Sequence, residues 1–336
     1  MASSLRRYET VIRKEPLDTM REIGIEFPAN GQMSFCELGV PPAPEAGQLL
    51  LETLYSGITN GTERHGLMAE HGYSGFPGRH GYQHVCRVVR CGSEVGDWFP
   101  GDVVFYGDYV GHRAWHLVDV SGGTPLMAKL PGDADYGHCA LLGVAGVALR
   151  AVRRLRVGVG QKVWVVGLGP IGIFAAQCAR ALGAHVSVAD IVASRLDVAG
   201  RTGAQRAVNM SRDDAWERVE AEAPYDVIVD CAGYERLFLD VFEHGLLARG
   251  GAVGAIAVRA QACFPWSLLH TTEASIEVSC HFSVAELECL LEWTRTGAVQ
   301  IEPMVSHSVG IEEAPAIYAT MRDDPRALYG VVFDWR

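Results

Sequence analysis

KVWVVGLGPIGIFAAQCARALGAHVSVAD, residues Lys162–Asp190, is the stretch whose reading decides the fold. Val163–Val166 is a β-branched apolar run with a lysine before it and a glycine after it, the mark of a buried parallel strand. Gly167, Leu168, Gly169, Pro170, Ile171 and Gly172 then supply G-x-G-x-x-G at a strand-to-helix turn. A helix is predicted over Ile171–Leu182, stopping at Gly183. A second apolar strand, His185–Ala189, delivers Asp190. Each part has a physical task. The first glycine permits the tight turn, the second lets a pyrophosphate approach the backbone, and the third allows close helix–strand packing. The helix N-terminus then faces the anionic phosphates. A dinucleotide site built on Gly167–Gly172 and Asp190 is expected. A carboxylate at this point accepts hydrogen bonds from the adenosine ribose and repels a 2′-phosphate, so NAD is expected rather than NADP. Arg195, five residues further on, is expected to pack near the adenine.

The bulk of the chain fits that reading. At 336 residues it is long enough for two domains. A net charge of −11 argues against nucleic acid or an anionic membrane as partner. No apolar core follows the arginines of MASSLRRYET, so no secretory signal is read, and no apolar run approaches transmembrane length. The nine cysteines are odd in number and scattered, with no C-x-x-C, which suggests neither a disulfide framework nor a zinc knuckle. A cytoplasmic protein with reduced thiols is expected.

Residues 1–20 read as a lead-in and 21–56 as β-rich, with a strand at Leu49–Tyr55. Residues 57–84 read as loops and short turns dense in Gly, His and Tyr, where binding residues tend to sit. Strands at Val85–Arg90, Asp102–Tyr106 and within Tyr109–Val120 complete a small β-barrel-like region. Beyond the apolar, small-residue-rich Tyr136–Arg154, strands and helices alternate. Helices are predicted at Ser194–Thr202, Asp213–Glu222, Leu237–Leu247 and Val284–Thr296. Strands are predicted at Ala207–Asn209, Asp226–Asp230, Ala252–Val258 and Ser275–His281. The result is an α/β chain with a doubly wound parallel sheet. A helix at Glu312–Met321 and a strand at Gly330–Phe333 end it. Arg150, Arg153, Arg154 and Arg156, at helical spacing, read as a solvated face.

Three blocks carry a family resemblance: VPPAPEAGQLLLETLYSGI (40–58), FPGRHGYQHVCRVVRCGSEVGDWFPGDVV (76–104) and VRRLRVGVGQKVWVVGLGPIG (152–172). In content and spacing the chain resembles the medium-chain dehydrogenase/reductase family over nearly its whole length. The resemblance implies a GroES-like β-barrel catalytic domain over 1–143 and an NAD-binding Rossmann domain over 144–281. It also implies a C-terminal return to the first domain over 282–336. Cys231, Ala232 and Ile256 would face the cofactor from strand ends, and Ile276–His281 would pair across a two-fold axis in a homodimer.

The chain also departs from that family. Alcohol dehydrogenases of the family take their first zinc ligand from the cysteine of a G-x-C-G-T-D-x-H block. Here the block is Gly57–His65, GITNGTERH, one residue longer, with Thr59 or Asn60 at the cysteine position. The family's G-H-E block is Gly81-Tyr82-Gln83, a further ligand position falls near Gly143, and the four-cysteine lobe is missing after Val104. Neutral Asn, Tyr and Gln are poor zinc ligands. The pattern is similar to the zinc-lacking branch that includes bacteriochlorophyllide a dehydrogenase. His65, His71, His80 and His84 form a cluster able to bind metal, but with a spacing unlike the usual sites, and no metal ligand is assigned.

By resemblance Thr62 takes the proton-relay position, His65 continues the relay to solvent, and Glu63 orients it. Tyr82 would donate to the substrate oxygen, with Asn60 and Gln83 as neutral donors beside it. Each has a structural alternative: turn capping for Thr62 and Glu63, packing for Tyr82, a solvated or structural imidazole for His65, and structural hydrogen bonding for Asn60 and Gln83. The expected function is zinc-independent, NAD-dependent hydride transfer to or from a secondary alcohol or ketone. The substrate would be a small polar or ring-shaped metabolite: a sugar, cyclitol or natural-product intermediate. An NADPH-dependent enoyl or quinone reductase stays open, as does transient use of bound NAD for epimerisation or elimination. A non-catalytic NAD-binding sensor or carrier stays open as well.

Overall fold

Two sheets organise the chain, which a computed structural model describes at residues 22–73, 75–123 and 125–336. The lead-in expected at 1–20 lies outside the described residues. The antiparallel pair β1 (Glu22–Glu26) and β2 (Ser34–Gly39) precedes the first main sheet. That sheet is centred on β3 (Gln48–Gly57), whose Leu49, Leu50 and Leu51 are fully buried. β3 pairs antiparallel with β4 (His84–Cys91), β6 (Trp115–Asp119) and β15 (Val331–Asp334). β5 (Val103–Tyr106) and β7 (Met127–Lys129) continue beyond β4, and β14 (His307–Gly310) runs parallel to β15. The last strand of the chain thus lies beside β3 in the first main sheet. Helix α10 (Ala314–Asp323) reinforces the return: its Ile317, Tyr318 and Met321 share an apolar cluster with Ile25, Phe27 and Phe333.

Residues 57–84 were expected as loops and turns, but they contain helix α1 (Asn60–Met68). Asparagine and glycine at its start and Gly66 within it are weak helix formers. The helix is held instead by burial of Leu67 and by Glu63, whose carboxylate Oε1 accepts the Thr59 N–H at 2.7 Å. This reach-back bond works like a capping box drawn out by one residue.

The second sheet holds β8 (Lys162–Val166), β9 (His185–Asp190), β10 (Arg206–Asn209), β11 (Tyr225–Asp230), β12 (Leu247–Ala255) and β13 (Ser275–Val278). All are parallel, in the order β10-β9-β8-β11-β12-β13. This is the dinucleotide-binding order, with its reversal point between β8 and β11. Val163, Trp164 and Val165 are buried, which explains the unbroken apolar run. Helices α3 (Leu142–Arg154), α4 (Pro170–Ala181), α5 (Ala193–Arg201), α6 (Ala215–Glu220), α7 (Leu237–Glu243), α8 (Trp266–His270) and α9 (Val284–Arg295) accompany it, whereas α2 (Tyr136–Cys139) packs against β3, β4 and β15 of the first sheet. The α/β class read from the sequence, with a doubly wound parallel sheet, is the one observed, and where a GroES-like β-barrel domain was expected the structure has a separate mixed sheet of seven strands. No helix among the described residues is long and apolar enough to cross a membrane.

Several boundaries moved for local reasons. α7 stops at Glu243, because Gly245 takes φ +60 and turns the chain into β12 five residues earlier than expected. β12 ends at Ala255, which frees Ile256–Val258 to leave the sheet. β13 ends at Val278, so only part of the segment expected to pair across a two-fold axis is strand. The arginine stripe of α3 is not simply solvated. Arg153 and Arg150 reach Glu286 on α9 at 2.8 and 3.6 Å, and Arg154 reaches Glu277 on β13 at 3.2 Å.

Candidate active site

The glycine turn after β8 behaves as its spacing requires. Gly167 has φ +87, and a Cβ there would lie 2.7 Å from the Ala232 backbone nitrogen. A Cβ on Gly172 would lie 1.9 Å from the Gly167 carbonyl oxygen, so helix and strand meet with no room for a side chain. A Cβ on Gly169 would meet nothing within 4 Å. That open side, at the N-terminus of α4, is where a phosphate can approach the amides. Pro170 occupies the first helical position, where its missing N–H costs nothing.

Two strand-end carboxylates shape the neighbouring turns. Asp190 accepts the Leu168 N–H on Oδ2 at 2.6 Å and the Val192 N–H on Oδ1 at 2.8 Å. It therefore braces the glycine turn while also lining a cleft of about 520 Å³ with Gly167, Gly169 and Trp216. Asp230 closes β11 in the same manner, accepting Ala232 N–H at 3.1 Å and Gly233 N–H at 2.9 Å, with Arg259 paired to its other oxygen. Arg195 lines the cleft too, but its guanidinium also donates to the carbonyl oxygens of Pro325, Arg326 and Leu328 at 3.3, 3.4 and 3.2 Å. It clamps the C-terminal segment to the dinucleotide side.

A second cleft of about 420 Å³ adjoins the first, with Gly169, Arg195, Cys231 and Ala232 lining both. Its one wall is Gly169–Gly172, Cys231, Ala232 and Ile256; the other is α1, through Thr59, Asn60, Thr62, Arg64 and His65. Of the six expected catalytic residues, Asn60, Thr62 and His65 line this cleft. Asn60 Oδ1 is buried in the wall with no hydrogen-bond partner among the described residues. His65 Nδ1 lies 3.0 Å from Glu70 Oε2, and burial, partly offset by that bond, lowers its pKa below the usual imidazole value.

Glu63, Tyr82 and Gln83 sit behind the wall, 1 %, 3 % and 0 % exposed. Glu63 Oε2 accepts the Tyr318 hydroxyl at 2.6 Å and lies 3.1 Å from His112 Nε2, so its carboxylate is spent on the packing of α1, β3 and α10. Tyr82 wedges between Tyr109 and His281, with ring centroids at 4.9 and 5.0 Å, and its hydroxyl meets the Thr59 side chain. Burial pushes that phenol far up. Gln83 donates to Thr59 Oγ1 at 3.1 Å and to the Gly57 carbonyl at 3.3 Å, while its Oε1 accepts the Val144 N–H at 2.7 Å. The direct substrate contacts expected of Tyr82 and Gln83, and the relay contact expected of Glu63, are replaced by contacts that fix the wall. The four-histidine cluster is also divided: His65 and His71 line the cleft, His80 stacks on Phe27, and His84 is buried beside His112 and His116.

Known proteins are similar to this chain in part of its sequence and in its fold. Residues 170–296 match the zinc-binding dehydrogenase model. L-threonine 3-dehydrogenase of Anaeromyxobacter dehalogenans is 32% identical over 196 residues, covering 49% of this chain and 56% of that protein. The match thus spans little more than half the length of that relative. 2-Dehydro-3-deoxy-L-galactonate 5-dehydrogenase of Pseudoalteromonas atlantica is 24% identical over 86% of this chain and 92% of its own length. An alcohol dehydrogenase from Escherichia coli CFT073 solved with NADH superposes with a TM-score of 0.81 at 18% identity, covering 94% of this chain and 99% of that one. A zinc-binding dehydrogenase from Sinorhizobium meliloti 1021 bound to NADP does so at 0.80 and 21%, covering 94% and 100%. The chain is similar to zinc-binding dehydrogenases over residues 170–296 and shares the fold of the solved alcohol dehydrogenases.

In this chain the positions where the medium-chain dehydrogenase pattern places zinc ligands do not suit a metal. Thr59, Tyr82 and Gln83 satisfy one another as a neutral hydrogen-bonded cluster. A Cβ on Gly143 would lie 2.5 Å from Gln83 Cγ, so no side chain fits there at all. Trp164, Trp216 and Arg326 in the first cleft and Val258 and Leu328 in the second carried no sign in the sequence. The acid ending DVIVD, like the one ending HVSVAD, was the available sign of the Asp230 turn.

Proposed function

We propose that this chain is a medium-chain dehydrogenase that transfers hydride between NAD(H) and a secondary alcohol or ketone of a hydroxylated metabolite, without the family's catalytic zinc. The observation that carries the proposal is the cleft itself, in which the α1 wall with Asn60, Thr62 and His65 faces the open glycine turn. A nicotinamide dinucleotide laid along the two joined clefts supplies the hydride acceptor or donor. Gly167–Gly172 and the α4 N-terminus hold its phosphates, Asp190 its adenosine ribose, and Cys231, Ala232 and Ile256 border the second cleft. Asp190 and the engagement of Arg195 by backbone carbonyls support NAD over NADP.

Thr62 is the residue that holds the substrate oxygen and takes its proton, and neutral His65 passes that proton outward. Asn60 Oδ1 is an unspent acceptor for a second substrate hydroxyl. Gln83, Tyr82 and Glu63 position the wall. The filled neutral cluster at Thr59, Tyr82 and Gln83 supports placing the chain in a zinc-lacking branch of the family. The relative aligned over most of its length is named for a sugar-acid substrate, which supports a polyol, sugar or cyclitol. We further propose units at 1–143, 144–281 and 282–336, supported by the return of β14 and β15 to the first sheet. The homodimer would pair through the outer edge of β13.

The test is NADH formation from a panel of sugars, sugar acids and cyclitols with NAD or NADP as acceptor. Steady reduction of NAD by at least one polyol, lost in Thr62→Ala and kept in Thr62→Ser, is expected. Preference for NADPH with an enone substrate would overturn the assignment.

A further inference from the structure

Where α1 ends, three donor groups converge on the cleft wall. His65 stands in the last turn of the helix. Ala69 then takes the left-handed conformation, φ 53, and the Glu70 N–H donates back to the His65 carbonyl at 2.9 Å. His71 follows with φ 50. The chain therefore folds under the end of its own helix, and one ligand atom from each of His65, Glu70 and His71 lies within 4.8 Å of the others. We propose that His65, Glu70 and His71 form a site for one divalent transition-metal ion, zinc foremost, on the wall of the dinucleotide cleft.

The donor set is right for that class of ion. Two imidazoles and a carboxylate are a recurrent zinc set when a fourth position is left to water or ligand, and imidazole favours zinc over magnesium or calcium. His65 and His71 both line the cleft, so the remaining position opens toward a bound small molecule. The partial negative charge of a helix C-terminus favours a cation there. The hydrogen bonds that reach Glu70 from Arg64 and His65 both fall on Oε2, so Oε1 is outside those two bonds.

Arg64 opposes the ion. Its guanidinium is paired with the Glu70 carboxylate and must yield when a metal enters. That competition sets the affinity below that of a dedicated site and provides a specific handle. The site is distinct from the family's zinc position, which Thr59, Tyr82 and Gln83 fill. Occupancy would withdraw His65 from the relay proposed above. That consequence rests on the proposed function, whereas binding itself does not.

The experiment uses the full chain, stripped with chelator and free of cofactor and substrate, so its failure cannot be confused with failure of the functional reading. Zinc is titrated in competition with a chromogenic indicator, and cobalt is added separately to record its visible absorption. Wild type is expected to bind one equivalent of zinc. Glu70→Gln and His71→Ala are expected to weaken binding by more than about tenfold and to abolish the cobalt band. Arg64→Gln is expected to tighten binding, an effect that general damage to the fold would not produce. Circular dichroism confirms that each variant is folded. The proposal is overturned if wild type takes up no stoichiometric zinc, or if His71→Ala and Glu70→Gln leave its affinity unchanged. It is equally overturned if the zinc is lost on replacing the exposed thiols in Cys263→Ser/Cys280→Ser.

Discussion

Gly169 and Gly172 stand three positions apart in sequence and differ in role. An added methyl at Gly172 collides with the Gly167 carbonyl at 1.9 Å, whereas one at Gly169 points into the open side of the turn. Gly172→Ala is therefore expected to unfold or severely destabilise the protein. Gly169→Ala should leave the urea midpoint within about 0.5 kcal/mol of wild type while weakening NADH binding by about tenfold or more. NADH fluorescence titration alongside urea melts separates the two, and equal loss in both measurements for Gly169→Ala would refute the assignment of that face. A second expectation at this scale concerns His65. Its lowered pKa keeps it neutral and able to accept a proton at neutral pH. Oxidation of the alcohol should then fall only on acidification below about 6.5, as the imidazole that receives the proton becomes charged. His65→Gln should remove that acid limb from the pH profile of kcat/KM. Persistence of the limb in the variant would assign it to another group.

At the scale of elements, α3 is tied to β4 and to the start of α1 by one side chain. Gln83 accepts the Val144 N–H near the α3 N-terminus and donates to Thr59 and Gly57. Gln83→Leu should cost about 2–3 kcal/mol, because it strands a buried helix N–H and two buried acceptors. A urea-unfolding change under about 1 kcal/mol would mean the wall has another anchor. This is also the scale at which the sequence was most and least legible. The parallel sheet, its strand order and the glycine turn follow from β-branched runs, punctuating glycines and a strand-end acid, all local signals. α1 was not legible. Its residues are poor helix formers, and what holds it, Glu63 to Tyr318 and to His112, crosses 255 and 49 positions in sequence. For the same reason Glu63, Tyr82 and Gln83 read as site residues, although each is spent on contacts from distant elements. Asn60, Thr62 and His65 lie on the face of α1 that borders the cleft, and their block alone was enough to place them there.

At the scale of the whole molecule, the first sheet buries histidines that must stay neutral. Burial, with the Arg113 and His112 charges nearby, pushes the His116 imidazole down to about 3, and burial drives His84 well below its usual range. The unfolded chain protonates both at about 6.5. Between that pH and the folded-state values the unfolded state binds more protons, so stability falls as the pH falls. Each histidine contributes a slope of about 1.4 kcal/mol per pH unit. Urea melts between neutral pH and pH 5 should show this loss, and His116→Gln should make the slope shallower. An unchanged slope would place the acid sensitivity elsewhere. The same scale explains why the cleft exists as one object. The C-terminal return brings Pro325–Leu328 against Arg195, so the tail both completes the first sheet and closes the dinucleotide side.

The central claim is hydride transfer without the family's zinc, and turnover by the metal-free protein tests it most directly. Chain stripped with chelator, with zinc shown absent by elemental analysis, is assayed for NADH formation from a polyol substrate and again after one equivalent of zinc is restored. Full turnover in the stripped protein and no gain on restoring zinc are expected. Turnover that appears only with stoichiometric zinc would contradict it.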